Sequence, residues 1–392
     1  MTFLGHVDHG KTSLAYALSG VWTDTYSEEL RRGISIRIGY ADVSIFKCPS
    51  CHRYSTSKTC PYCHAKTEFV RKISLLDAPG HETLMATAIS ASSIMDGAIL
   101  VIAANEPCPQ PQTKEHLMVL EAMGIKNIVI VQTKIDLVKK EDAIKNYEQI
   151  TEFLRSFGYE NVPIIPVAAH FKINIDKVLE AIEKHIPTPK RDESLPFKMY
   201  VARSFDVNRP GMPIAKLSGG VIGGSIIQGK ISVGDEIEIR PGLPKKGSEI
   251  ETEPIITTVK SLAAGSKQLK TAKPGGLIGV ETQIDPYWTK GDRLIGSIVG
   301  EPGTLPEVVD YIKVKYVLFD RTDFENKPFT QGEPIVVSIG TATGVGVVAQ
   351  PGKDTLEIKL KRPMCKDEDS PIAISRRIGQ RWRLAGHGRI IG

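Results

Sequence analysis

No stretch of this chain is apolar for long enough to span a bilayer, which excludes membrane-spanning helices. No signal peptide opens it either, because its first residues run almost at once into a motif. Charge of neither sign dominates: 50 Lys and Arg stand against 45 Asp and Glu, a net of +5, so a polyanionic partner is permitted but not demanded. Cysteine is scarce at six residues, but four of them fall in two C-x-x-C pairs. In an intracellular chain that pattern favours metal over disulfides. These absences lead us to expect a soluble, cytoplasmic protein with no membrane partner. What is present can build real cores: 41% of residues are hydrophobic and 24% charged, so the chain is not disordered overall. At 392 residues it is too long for one ordinary domain.

The first half alternates strands with helices. TFLG is a short strand and KTSLAYALSG the helix after it; ISLLD, AILVIAA, NIVIVQT and PIIPVAA are apolar runs of strand length. Helical stretches at Lys114 to Met123, Glu141 to Phe157 and Ile175 to His185 separate or follow them. Such units imply a parallel sheet covered on both faces. IPTPKRD then reads as a linker, with two prolines and a charge cluster. Beyond Glu193 short glycine-punctuated strands take over, as in GGVIGGSIIQGKISVGDEIEIRPG, and they point to antiparallel barrels. A second break falls in GEPGTLPE, near Gly300 to Pro306. The expected domains are 1–192, 193–302 and 303–392.

Residues Gly5 to Thr12 read GHVDHGKT, the G-x-x-x-x-G-K-[ST] pattern, placed after a strand and before a helix. Gly5 and Gly10 let the backbone bend so that N–H groups point inward on phosphates, and the helix adds the positive end of its dipole. Lys11 can reach the β- and γ-phosphates, and the Thr12 hydroxyl can bind Mg²⁺. DAPGH, Asp77 to His81, follows the strand ISLL; its Asp77 can hold a Mg²⁺-bound water and its Gly80 amide can meet a γ-phosphate. TKID, Thr133 to Asp136, follows NIVIVQ. A carboxylate there accepts two hydrogen bonds that guanine offers and adenine does not, a discrimination worth factors of about 10⁴.

GHVDHGKT, RGISI, DAPGH and TKID, in this order and ahead of two β-domains, resemble the translational GTPases. SEELRRGISIRIGYAD, the two C-x-x-C pairs, AANEPCPQPQTKEH, RSFDVNRPG, GGVIGGSIIQG and SRRIGQRWRLAGHG narrow the resemblance to the gamma-subunit family of archaeal and eukaryotic-type translation initiation factor 2. The fold it implies is an α/β P-loop GTPase domain with an inserted zinc knuckle at about 46–66, followed by two antiparallel β-barrel domains. The activity it implies is hydrolysis of GTP to GDP and phosphate. Asp8, His9, Gly10, Lys11, Thr12 and Ser13 would wrap the phosphates with Gly80. Thr12 and Ser35 would ligate Mg²⁺; Asp8 and the Gly33 carbonyl would hold a second one. Thr133, Lys134 and Asp136 would surround the base, with Ala168, Ala169 and His170 behind it. His81, with Asp77, is the catalytic candidate: it would orient the attacking water, gated by Val7 and Ile34. The implied partners are methionylated initiator tRNA, the alpha and beta subunits of the same factor, and the small ribosomal subunit.

Two positions depart from the family pattern. Thr133 replaces the usual Asn of the guanine motif, and Ala168 the usual Ser of the following loop, so the base side is expected to grip less tightly than in relatives. The start also differs, with four residues ahead of Gly5, which reads either as a short first strand or as a trimmed chain start.

Cys48, Cys51, Cys60 and Cys63 form CPSC and CPYC, two knuckles able to supply a tetrahedron of thiolates to structural Zn²⁺. The HRYSTSKT between them is too polar to build a core, so the metal would hold the lobe together. His52 and His64 flank a shell already complete; Cys108 and Cys365 read as packed residues. At the far end Arg376, Arg377, Arg381, Arg383 and Arg389 have no acidic residue between them, and beside Trp382 they read equally as an RNA contact or a solvated barrel strand. Two rival functions stand: an elongation-factor-type GTPase delivering aminoacyl-tRNA, and a GTP-dependent scaffold without turnover. The cysteine pairs and AANEPCPQPQTKEH speak against the first. The selenocysteine-specific kind would also be expected to continue into a further C-terminal domain. His81 speaks against the second.

Overall fold

The computed structural model describes residues 1–23, 39–78, 85–213, 215, 217–245, 251–321 and 323–391. Its first unit, Met1–Pro189, is built on a seven-stranded sheet. Strands β1 (Thr2–Gly5), β4 (Glu68–Asp77), β5 (Ala98–Ala103), β6 (Ile128–Thr133) and β7 (Ile164–Pro166) run parallel in the order β4-β1-β5-β6-β7. β2 (Gly39–Lys47) and β3 (Tyr54–Ser55) extend that sheet antiparallel beyond β4. The five parallel strands are the apolar runs legible in the sequence. β2 is not among those runs, because its GYADVSIFK alternates more and less buried residues as an outer strand does.

Helices α1 (Lys11–Ser19), α2 (Met85–Ser92), α3 (Pro111–Ala122), α4 (Lys140–Ser156) and α5 (Ile175–His185) cover the sheet. Alternation along β5 explains how: Ile99 and Val101 pack with α1 and α5, whereas Leu100 and Ile102 pack with α3 and α4. Every β5 residue is buried, each large one contributing about 1.5–3 kcal/mol by leaving water. No helix among the described residues is long and apolar enough to cross a membrane.

The second unit, Lys190–Gly392, contains two β bodies. In the first, an eight-stranded antiparallel sheet running from Lys198–Phe205 to Ile298–Gly300 encloses one core, with Met199, Ile222, Ile239 and Val280 at its centre. In the second, six strands from Val308–Leu318 to Arg381–Ile390 close into a barrel around Ile312, Val337, Ile358 and Ile374. A buried polar knot joins the two bodies. Lys198 Nζ lies 2.7 Å from Asp367 Oδ1, and the Tyr200 hydroxyl donates to the other Asp367 oxygen with Ser370 Oγ 2.6 Å away. Asp367 is 2% exposed, so its charge is sustained by these partners rather than by water.

This body also holds two of the arginines noted in the sequence. Arg376 is buried, forks onto Glu333 at 2.9 and 3.0 Å and lies over the Phe329 ring, while Arg383 is taken by Asp323. The run that looked free of acid in sequence meets carboxylates contributed by residues 323–333, so two of its five arginines are spent on the barrel itself.

Candidate nucleotide and metal sites

The loop between β1 and α1 is shaped by backbone that only particular residues tolerate. Gly5 has φ 144°, and a Cβ there would stand 2.2 Å from the Val101 carbonyl oxygen. Gly10 caps α1 in the left-handed region at φ 85°, and Asp8 adopts φ 61°. No side chain caps α1 at its start, so its first-turn N–H groups face the loop. That arrangement suits an anion. Lys11 is buried with its ammonium 3.0 Å from the Gly5 carbonyl and 2.6 Å from that of His6. One full cation therefore sits inside the loop's own curve.

At the other end of the loop the Thr12 hydroxyl donates to Asp77 Oδ2 at 2.8 Å. Thr23 donates to the same oxygen at 2.7 Å, and Asp77 is 1% exposed. Helix start and strand end thus bring a hydroxyl and a carboxylate together, a hard-oxygen pair of the kind Mg²⁺ takes. Asp8 and Ser13 lie exposed, His9 is buried. Gly33, Ile34, Ser35, Gly80 and His81 fall outside the described residues. Val7 is half-buried.

On the base side, Lys134 takes a left-handed turn at φ 57° into a short 3-10 helix that presents Asp136 to solvent. The Thr133 hydroxyl is not idle. It donates to the His9 carbonyl at 2.6 Å, and Thr133 is 2% exposed. A hydroxyl thus ties the start of the guanine motif to the phosphate loop. Ala168 is buried in a turn closed by the Ile173 N–H on its carbonyl at 3.1 Å; Ala169 is half-buried and His170 exposed. We therefore expect Thr133→Val to weaken GDP binding about tenfold, because it leaves the buried His9 carbonyl without its donor. Thr133→Asn should tighten binding if the base also lacks an amide contact. Equilibrium titration of GDP into the three proteins checks both, and a Val variant equal to the parent would remove the tie from the account.

Two side chains that the sequence reading gave no role stand behind the loop. His116, on α3, is fully buried and accepts the Gly5 N–H at Nδ1, 2.8 Å away. Burial, with Lys11 nearby, draws its pKa down to about 3, so it is neutral and carries its proton on Nε2. Glu106 reaches His9 Nε2 at 3.3 Å, while His9 Nδ1 lies 3.3 Å from the Val101 carbonyl. The only sequence signal for either was its place in AANEPCPQPQTKEH.

The cysteines form a second site. β2 ends at Lys47, and CPSC and CPYC then repeat one hydrogen-bond pattern. The His52 and His64 N–H groups each donate to the carbonyl of their first cysteine at 3.0 Å, both histidines at φ near 60°. The Cys48 N–H meets the Arg53 carbonyl at 2.9 Å, and the Cys60 N–H meets that of Ala65 at 2.8 Å. This pseudo-twofold repeat places the four Sγ atoms within 4.8 Å of one another, the crossed pairs Cys48–Cys63 and Cys51–Cys60 at 3.4 and 3.5 Å. A tetrahedral ion with metal–sulfur bonds of about 2.3 Å would set sulfurs roughly 3.8 Å apart, so the set fits. The Cys51 amide lies 3.5 Å from Cys48 Sγ, an N–H aimed at a sulfur. The lobe packs against α5, and Arg53 lies over the Tyr62 ring. Cys108 is half-buried and Cys365 buried, each apart from the cluster.

Comparison with known proteins agrees along the chain. Residues 1–188 match the family described as the Elongation factor Tu GTP binding domain, 219–294 match Elongation factor Tu domain 2, and 310–390 match Initiation factor eIF2 gamma, C terminal. Translation initiation factor 2 subunit gamma of Methanocaldococcus jannaschii is 58% identical, covering 99% of this chain and 96% of that protein. Its counterpart in Pyrococcus horikoshii is 56% identical over the same shares. Among solved structures, bacterial selenocysteine-specific elongation factor EF-Sec superposes with TM-score 0.77 at 26% identity, over 99% of this chain and 58% of that one. Elongation factor SelB of Methanococcus maripaludis, with a GTP analogue, superposes with TM-score 0.75 at 24% identity, over 100% of this chain and 78% of that one.

Proposed function

This chain belongs to the family of translation initiation factor 2 gamma subunits, and from that premise we propose that it carries methionylated initiator tRNA to the small ribosomal subunit. It is a GTP-binding translation initiation factor subunit and a GTP-hydrolysing enzyme that uses Mg²⁺. In our reading it works in the cytoplasm within a heterotrimer with alpha and beta subunits, in three domains, 1–192, 193–302 and 303–392.

The observation that supports this most directly is the meeting of Thr12 and Asp77 at the mouth of a loop that already encloses Lys11. Loop amides from Asp8 to Ser13 bind the β- and γ-phosphates, and Lys11 places a positive charge between them. Thr12 and Ser35 would hold Mg²⁺, with Asp77 holding one of its waters, and the bound ion would neutralise charge on the phosphate oxygens. Asp136 accepts the guanine N1–H and 2-amino group; Lys134 and the Ala168–His170 turn flank the base. His81 orients water, so catalysis is mostly positioning. Zn²⁺ on the four thiolates would be structural, because all four positions are filled by protein.

Capture of charged tRNAs by the factor in GTP and in GDP tests the proposal. We expect retention of the initiator species in GTP and its loss in GDP. Equal retention of elongator species would favour the elongation-factor reading. In single-turnover assays His81→Ala should slow ribosome-stimulated hydrolysis about 10²-fold. A variant indistinguishable from the parent, with no stimulation of either, would favour the scaffold.

A further inference from the structure

The segment Ala103–Glu106 through His116 bears on the phosphate loop from behind at two separate points, and we propose that His116 and Glu106 are positioning residues that set the loop's geometry for nucleotide. The inference rests on the loop being the nucleotide site.

His116 fixes the loop's first peptide. Gly5 approaches Val101 so closely that no side chain fits, and its N–H is buried where β1 gives way to the loop. His116 Nδ1 is the acceptor that this N–H meets, across 111 residues of sequence. Its neutral ring can accept there without bringing a second positive charge up to Lys11. His116 Nε2 is buried with no hydrogen-bond partner among the described residues, so the ring is not held by its far nitrogen. What holds the ring in place is the helix α3, and what it holds in turn is Gly5.

Glu106 acts at the middle of the loop. It reaches His9, whose ring is fully buried and whose carbonyl receives the Thr133 hydroxyl. Glu106 is itself anchored, because Asn146 Nδ2 on α4 donates to its carbonyl at 2.7 Å and Gln132 Nε2 on β6 donates to Asn146 Oδ1 at 2.8 Å. The Cys108 N–H is pinned to Gln149 Oε1 on the same helix at 3.1 Å. A polar chain thus runs from α4 through the segment to the phosphate loop and ends at the guanine motif. Neither His116 nor Glu106 touches the nucleotide in this scheme; both act through Gly5 and His9.

The test is stopped-flow release of a fluorescent GDP analogue from the full chain with Mg²⁺, beside thermal unfolding of the nucleotide-free protein. His116→Ala should speed GDP release about tenfold, since it leaves a buried N–H without an acceptor. His116→Asn, whose Oδ1 can take the place of Nδ1, should restore release to within threefold of the parent. His116→Leu, which keeps volume but accepts nothing, should release as fast as the Ala variant even where its melting temperature matches the parent. Glu106→Gln should speed release by a smaller factor of about three. If the parent binds GDP and all four variants release it at the parent's rate, the positioning role is overturned while the site stands. If release tracks melting temperature alone, with Leu as good as Asn, His116 is a packing residue and the proposal is overturned. A parent chain that binds no GDP would instead overturn the site reading itself.

Discussion

Lys11→Ala should bind GDP and GTP at least about 10³-fold more weakly than the parent while remaining folded. The lysine is buried at the centre of the loop, its ammonium held by the Gly5 and His6 carbonyls at 3.0 and 2.6 Å. Against a polyphosphate the same ammonium makes two or three charge-assisted hydrogen bonds, each worth about 1.5–3 kcal/mol. Roughly 4 kcal/mol corresponds to the thousandfold loss. No other cation is held inside the loop among the described residues, so no neighbour replaces it. Isothermal titration with circular dichroism of the same sample decides the matter. A folded Lys11→Ala protein that binds GDP within threefold of the parent would mean that the loop is a structural turn and the lysine its staple.

The larger effect in free energy concerns the cysteine lobe. Removing its metal should cost on the order of 10 kcal/mol and unfold residues at about 46–66. Little else there can compensate. Cys48 and Cys60 are buried, but the segment between the pairs is polar, and β3 contributes only two residues to the sheet. The protein as purified should contain one equivalent of zinc by elemental analysis. A strong chelator should then release it and expose four thiols to a colorimetric reagent. Cys48→Ser should lose the metal without chelator and expose the three thiols that remain. Nucleotide binding should survive, because the lobe hangs on β2 and β4 at the sheet's antiparallel edge, whereas the phosphate loop leaves β1 in the parallel part. Absence of metal, with thiol reactivity unchanged by chelator, would remove the metal from the account.

Legibility differed from one part of the molecule to another for physical reasons. The central parallel strands β1, β5 and β6 stood out because they are buried along their whole length, and burial on both faces makes an apolar run, as AILVIA shows. The limits of α5 were read to the residue, since Ile175–His185 carries its apolar positions at helical spacing, acid in the first turn and base in the last. β2 was missed because a half-exposed antiparallel strand of mixed composition resembles a loop. Within the site, GHVDHGKT and the cysteine pairs are local patterns and could be read locally. His116 and Glu106 could not: their partners lie 111 and 97 residues away, and nothing in a helix sequence tells a histidine facing a loop from one facing a core. Thr133 reads in sequence as lacking the Asn amide, and residue type alone does not disclose that its hydroxyl lies 2.6 Å from the His9 carbonyl. For the arginine run, the carboxylates that meet Arg376 and Arg383 come from another strand connection, which the local sequence does not show.

The knot of Lys198, Tyr200, Asp367 and Ser370 bears on how this protein can be taken apart. A fragment ending near residue 302 would keep a lysine and a tyrosine shaped for a carboxylate it no longer has; a fragment beginning there would keep Asp367 without its cation. Each piece would carry an orphaned polar group on a freshly bared face, with the Gly296–Ala342 approach opened beside it. The two β bodies are therefore poor candidates for separate expression, grafting or exchange with those of other proteins. Chimaeras should be cut near Pro189 and Lys190, leaving the pair together as a single inherited part.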